Sequence, residues 1–506
     1  MEVIPMEAVQ SFINEVSKKL EADQISTDMP TRIAYRAAHG PETLLHEDMI
    51  DFTPAIVVRP RSTEDVIEIV KLANEYEIPI VPQGGRTGSY GAEGMQGCVV
   101  LDFANMNKVL NLNEKSYRIT AQAGIRLKDY IRFLEERGYV SLEYPTMAWT
   151  STLGARAAVA GYNKFENTWG GSAVNTKGIE VVLANGDVVQ LGRGSPIPTK
   201  NVTGFDLMSM FLGSKGTFGV ITALTEQFID KPAKTIYGVW AFKKIEDATE
   251  AYIELTSSKY TGVMWRAKTY HKMRIGRMME VMENKVWPDD VEMVTDYNLF
   301  GEPKVVEAME EIAIDIMKKH NGFWRNDIPS TTEIAQKHHE VMGKYIGMGS
   351  LFSDRIVDGG MGYKLVPLDP MVPHSTLVEA YRAIIKQLEK IEDGESYPAL
   401  TGKLFVFDPG AAVPGELGYT KLWVVLNANW KLWNNETRKA FKDWFREYAE
   451  LVWSYGAALT GTHGFIPSDM RTEILKKEVG EKEYELMKTI KKALDPKNIM
   501  NPKIRF

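Results

Sequence analysis

Six glycines, Gly84, Gly85, Gly88, Gly91, Gly94 and Gly97, fall within 14 residues and leave a run of backbone N–H groups that an anion can approach closely. A phosphate cradle is the chemistry such a loop suits; a flexible surface hairpin is the ordinary alternative. Two common phosphate loops are excluded. The Walker pattern needs Gly-Lys-Ser/Thr at the end of the loop, which is missing here, and the dinucleotide fingerprint needs a helix directly afterwards, where Cys98–Asp102 reads as a strand. Other candidate groups are weaker. Cys98 is the single cysteine, so it forms no intramolecular disulfide and supplies no multi-cysteine zinc or iron–sulfur site. His338 and His339 are adjacent on a helical pattern and face different ways, a poor metal pair. Met273, Met278, Met279 and Met282 read as packing.

The elements that must hold the loop can be read on either side of it. Ala55–Arg59 is an apolar strand, Ser62-Thr-Glu-Asp65 opens a helix with Val66, Ile69 and Val70 on one face, and Pro79–Pro82 is a short buried strand entering the loop. Strands at Cys98–Asp102 and Tyr117–Gln122, a helix at Leu127–Gly138 and a hairpin turning at Asn185-Gly186 follow. From about Lys234 longer helical patterns, Ile245–Leu255, Val305–Lys319 and Thr376–Glu392, alternate with strands such as Gly238–Phe242 and Lys421–Asn427. The expected fold class is α+β. Its organisation is a helical lead-in over 1–53, a first α+β domain over 54–232, a second over 233–455, and a C-terminal segment over 456–506 that returns to the first.

Length and composition set outer limits. A chain of 506 residues, 44% hydrophobic and 25% charged, is globular and too long for one domain. With 60 Lys+Arg against 67 Asp+Glu the net charge is −7, which speaks against nucleic acid as a partner. No stretch approaches the ~18–20 apolar residues of a membrane span. The N-terminus alternates charged and apolar residues without the apolar region of an export signal, so a reducing cytoplasm is the expected location.

The motifs taken together carry a family likeness. Val58-Arg-Pro-Arg-Ser-Thr-Glu-Asp-Val66, Ile80-Val-Pro-Gln-Gly-Gly-Arg-Thr-Gly88, Val100-Leu-Asp102 and Ala123-Gly124 resemble the first half of the FAD domain of the vanillyl-alcohol oxidase / p-cresol methylhydroxylase family. Ser151-Thr-Leu-Gly154, Gly178–Gly186, Lys200–Asp206, Leu212–Ile221 and the segment from Asp495 resemble the rest. The resemblance implies an FAD domain of two α+β subdomains (the PCMH type) and a ferredoxin-like α+β substrate, or cap, domain. It implies an FAD contacted by Pro82, Gln83, Gly84, Gly85, Arg86, Thr87, Gly88 and Ser89, and by Pro145, Ser151, Thr152, Leu153, Gly154, Gly161, Asn163 and Ile221. Relatives that bond the flavin covalently carry His or Cys where this chain has Arg86 and Gly418-Tyr-Thr-Lys-Leu422, so non-covalent FAD is expected.

The substrate is less sharply marked. Relatives acting on D-2-hydroxy acids show a His-rich metal strand and Glu-His-Gly near the C-terminus; here Leu404–Asn427 has no His and the motif is Gly461-Thr-His-Gly464, so no metal is expected. The Tyr-Arg pair of phenol-oxidising members is also absent, although Tyr90-Gly91, Gly161-Tyr162 and Trp169 lean that way. His463 is the candidate proton acceptor and Arg266 the candidate fork for an acidic substrate. Tyr162 is placed beside the flavin to donate to substrate oxygen or to pack. The expected activity is hydride transfer from a hydroxylated small organic acid to FAD. Oxidation of a phenolic or other alcohol is the alternative. A flavin subunit of an electron-transfer assembly, or a redox-neutral ether-lipid synthase-like transferase, is the third reading. A protein electron acceptor and a homodimer stay open as partners.

Overall fold

The computed structural model describes residues 4–36, 51–88, 91–143, 150–162, 166–192, 204–260, 264–271, 288–324, 363–392, 394–401, 404–408, 411–414, 418–422, 424–429, 433–461, 465–467 and 469–504. Four strands open the fold: β1 (Ile25–Ser26), β2 (Ile56–Val58), β3 (Ile80–Gln83) and β4 (Val99–Asp102), in the order β1-β2-β4-β3. β4 runs parallel to β2 and β3, and β1 pairs antiparallel with β2. The parallel strands are apolar except at the C-terminal ends of β3 and β4, Gln83 and Asp102, because both faces are covered. Ile56, Val58, Ile80, Val99 and Leu101 join the main core of this half, while Val57, Val81, Val100, Met95 and Cys98 form a small cluster on the other side. Burial pushes the Cys98 thiol up to about 12, so it behaves as a small apolar side chain.

The helix between β2 and β3, Thr63–Tyr76, starts where the Ser62 side chain accepts the Asp65 N–H and stops at Glu77, whose φ is 55°. β1 is a departure from the all-helical lead-in expected over 1–53. Two residues leave too short a pattern to read, and their pairing with Val58 and Val57 lies far along the chain.

The second sheet is antiparallel: β5 (Val109–Asn113), β6 (Arg118–Gln122), β7 (Tyr139–Ser141), β8 (Thr176–Val182), β9 (Val188–Gly192) and β10 (Val220–Asp230), ordered β5-β6-β10-β8-β9, with β7 also on β10. The β8–β9 hairpin turns at Asn185-Gly186 as expected; Gly186 takes φ 85°, a conformation that glycine adopts without strain.

Most of the chain after β10 builds a second core, running from Trp240 to Ile474. β11 (Lys234–Phe242), β12 (Met264–His271), β13 (Met293–Gly301), β14 (Phe323–Trp324), β15 (Tyr363–Leu368), β16 (Met371–Pro373), β17 (Leu404–Asp408), β18 (Ala411–Pro414), β19 (Tyr419–Leu422) and β20 (Val424–Asn429) divide into two sheets. One is ordered β14-β11-β13-β12-β18-β19-β16 and the other β15-β20-β17. The single strand expected over Lys421–Asn427 is in fact two, β19 and β20, in different sheets. Alternation along a sequence is the same on both sides of such a switch, so the pattern cannot reveal it. Helix Ile245–Leu255 has the bounds expected of it. Helix Asn435–Ser454, capped by Asn434, contributes Phe441, Trp444, Phe445 and Tyr448, each buried at about 1.5–3 kcal/mol in transfer terms. The fold is the expected α+β arrangement.

Candidate active site

The glycine loop leaves β3 and packs against the chain at 150–155. A Cβ on Gly85 would lie 1.9 Å from the Thr150 carbonyl oxygen, and one on Gly84 would lie 2.1 Å from Thr152 Oγ1. Only glycine permits this approach. Thr87 Oγ1 and Ser151 Oγ are hydrogen-bonded at 2.9 Å, tying the loop to the opposite wall. Gln83 Nε2 donates to the carbonyls of Tyr35 (3.1 Å) and Ala92 (2.6 Å), bracing both ends. Arg86 sits at φ 56°, its guanidinium turned away over the Tyr35 ring at 4.2 Å and donating to the Ala34 carbonyl.

Leu153 and Gly154 continue the far wall: their N–H groups donate to Ile125 and Ala123, and Gly154 has no room for a Cβ against Ala123. Ile221, on β10, pairs with Val181 beside Thr222, whose carbonyl accepts the Ala123 N–H. Two polar atoms in this crevice, Thr152 Oγ1 and Gln83 Oε1, are buried without a hydrogen-bond partner among the described residues. Buried polar atoms are seldom left so, and a bare-backbone crevice with an unanswered hydroxyl fits a phosphate-bearing cofactor.

Beyond this wall lies a polar cluster that no motif announced. Arg156, on helix Leu153–Ala158, lies against Gly161, donates to the Tyr162 carbonyl and stands 3.5 Å from Glu143 Oε2. Ser172 Oγ donates to Glu143 at 2.7 Å, and Thr176 Oγ1 donates to Glu226 at 2.8 Å. Glu143 Oε1, Glu226 Oε2 and the Tyr130 hydroxyl are buried and unpartnered among the described residues. Burial, then the neighbouring Glu143, holds the Glu226 carboxyl well above its usual range; burial raises Glu143 too, against the pull of Arg156. Glu226 therefore keeps its proton where an exposed carboxyl would have lost it.

At Tyr162 the two halves of the molecule meet. Lys421 of β19 donates to Glu166 Oε2 at 2.7 Å and lies 4.7 Å from the centre of the Tyr162 ring. Burial lowers the Lys421 pKa, and Glu166 opposes that shift. Gly461 packs on the Lys421 stem, where a Cβ would come within 3.2 Å of Cγ.

The structure thus brings Pro82–Gly88 to Ser151–Gly154, and Gly161 and Tyr162 to Lys421. Ser89, Pro145, Asn163 and His463 lie outside the described residues, as do Tyr90, His338, His339 and the 273–282 methionines. Of Arg266 only the backbone is described, paired with Asn298 beside a register shift in β12. Lys421, Glu166, Arg156, Glu143 and Glu226 were missed by sequence reasoning. Lys421 and Glu226 lie in strands that carry other polar residues, Thr420 in β19 and Thr222, Thr225 and Gln227 in β10, so no charge stood out against an apolar run.

Residues 54–192 match the FAD binding domain family, and residues 231–504 match the family described as FAD linked oxidases, C-terminal domain. The second match covers more than half of the chain, which belongs to the FAD-linked oxidase family. It is an oxidoreductase, and FAD is its cofactor. Glycolate oxidase subunit GlcD of Bacillus subtilis is 25% identical over 464 residues, 89% of this chain and 88% of that one. A D-lactate dehydrogenase of Archaeoglobus fulgidus is 26% identical over 493 residues, 97% of this chain and 98% of the other. The crystal structure of p-cresol methylhydroxylase superposes with a TM-score of 0.76 at 17% identity, covering 99% of this chain and 97% of that chain, which shows a shared fold. No helix among the described residues is long and apolar enough to cross a membrane.

Proposed function

We propose that this protein is an FAD-dependent dehydrogenase that oxidises the CH–OH group of a small 2-hydroxy acid, with the FAD held non-covalently. The observation that carries the cofactor half of this reading is the crevice between Gly84–Gly85 and Thr150–Thr152, with its unanswered hydroxyl at Thr152. Near-full-length similarity to proteins named for glycolate and D-lactate supports the substrate class. Pro82–Ser89, Pro145, Ser151–Gly154, Gly161, Asn163 and Ile221 would hold the cofactor. Bound FAD supplies the hydride acceptor. The protein's part is to seat the acid, Arg266 presenting a fork to its carboxylate, and to take the hydroxyl proton, for which His463 is the base. Tyr162 would close the pocket. Arg86 faces Tyr35 and is no nucleophile, which supports non-covalent attachment.

Of the divisions expected at 53/54, 232/233 and 455/456, two separate cores support the one at 232/233, while Val9, Phe12 and Val16 of the lead-in pack within the first core. Ala457, Leu459, Phe465, Ile466, Met470 and Ile474 pack in the second core, so the return of the C-terminal segment to the first is carried by Ile499 and Met500. A single buried cysteine suits a reducing cytoplasm, and electrons would pass on to a protein or small-molecule acceptor.

Anaerobic reduction of the purified yellow protein by a panel of glycolate, D-lactate and D-2-hydroxyglutarate tests the proposal, with His463→Ala and Arg266→Ala expected to lose it. A second reading, oxidation of phenols, is favoured by the buried Tyr162 ring at the junction. Bleaching by 4-alkylphenols and by none of the acids would select it.

A further inference from the structure

Two lysines have side chains only 4% and 7% exposed, Lys421 and Lys491, and they differ in how their three ammonium donors are met. Lys491 Nζ donates to Thr217 O at 2.7 Å, Asp495 Oδ2 at 2.6 Å and Met500 O at 2.7 Å, one acceptor for each proton. Lys421 Nζ has one hydrogen-bond acceptor among the described residues, Glu166 Oε2, and a second neighbour in the Tyr162 ring face. One N–H is left over. Burying an ammonium with an unmet donor is costly, so a further acceptor belongs there in the working protein.

The structure assigns Lys421 as the residue that binds the carboxylate of the substrate, with Glu166 as the counter-ion that holds the ammonium in place while the site is free. This rests on the 2-hydroxy-acid reading above and adds to Arg266 a second, unforeseen cation. Position supports it. β19 carries Lys421 from the second core to Tyr162 and Glu166, and its stem runs along Gly461, two residues before the proposed base His463 in sequence. The Glu166 side chain is 13% exposed, so the pair is not sealed from its surroundings.

The test uses the FAD-loaded protein and oxalate, a non-reacting dicarboxylate, with binding read from the perturbation of the flavin absorbance. Lys421→Met should weaken oxalate by about 10–100-fold and raise KM for the acid by a similar factor with kcat little changed, whereas Lys421→Arg should stay within a few-fold of wild type. Glu166→Gln should act in the opposite sense and tighten oxalate, because it removes a competing carboxylate from the same ammonium. A purely structural ion pair predicts weakening in both variants, and that result, or unchanged oxalate binding in Lys421→Met, overturns the assignment. If no 2-hydroxy acid reduces the wild-type flavin while Lys421→Met still loses oxalate, the anion site stands and the substrate reading falls. Should Lys421→Met fail to fold, the sign of the Glu166→Gln effect decides the matter.

Discussion

The C-terminal tail and the cluster around Arg156 are both buried and both rich in charge, yet they are built to opposite standards. In the tail, Asp495 accepts from Lys491, Ile499 N–H and Met500 N–H, and the Asn501 side chain donates to Gly91 O at 2.9 Å and Lys215 O at 2.7 Å. Every donor of Lys491 is answered. The other cluster leaves Glu143 Oε1, Glu226 Oε2 and the Tyr130 hydroxyl without partners among the described residues and gives Lys421 a single acceptor. A saturated network fixes one geometry. An unsaturated one retains capacity for a ligand or a proton, and titration shifts collect there for the same reason. The tail reads as the clasp that holds the end of the glycine loop, and the Arg156–Lys421 region as the place where chemistry is prepared.

The comparison can be pressed at several points, and the largest effect belongs to the loop that the clasp secures. Gly85→Ala puts a methyl group where the Thr150 carbonyl already is, and backbone cannot swing aside as a side chain can. The expected outcome is a folded protein that purifies colourless, read from the flavin-to-protein absorbance ratio. Next, Lys491→Met removes three hydrogen bonds and leaves Asp495 buried without its counter-ion, which should cost ~3–5 kcal/mol in urea unfolding and weaken flavin retention through Asn501. Lys421→Met removes only one hydrogen bond, from a carboxylate that keeps some exposure, so a smaller loss of about 1.5–3 kcal/mol is expected. Equal losses from the two lysines would dissolve the distinction between clasp and site.

Glu226 offers the smallest and most specific test. Its folded pKa lies above the unfolded value, so its stabilising contribution is complete below the unfolded pKa of 4.5 and is lost as pH rises through the folded pKa. Glu226→Gln mimics the neutral acid at every pH. Its Tm should therefore gain on that of wild type as pH is raised from about 5 to about 9, and parallel Tm curves would show that Glu226 is ionised in the fold.

Much of the architecture was legible because it depends on short-range pattern. Helix Ile245–Leu255 follows from its apolar spacing, the start of helix Thr63–Tyr76 from a serine three residues before an acid, and the Asn185-Gly186 turn from the one residue that tolerates φ 85°. The glycine loop was recognisable on the same ground. Its opposite wall was named only through family likeness, since nothing local to Ser151 says that Thr87 will meet it. β19 and β20 were read as one strand, because the alternation of side chains does not record which sheet each residue joins.

The amino-acid order by itself determined where helices, turns and bare-backbone loops form, because capping, left-handed φ and apolar periodicity act over a few residues. Only the tertiary structure decided which charges are buried, which donors go unanswered and which groups hold their protons. Lys421 and Glu166 are 255 residues apart in the chain and 2.7 Å apart in space. Burial and hydrogen-bond satisfaction belong to a neighbourhood, and a neighbourhood exists only once both cores have closed.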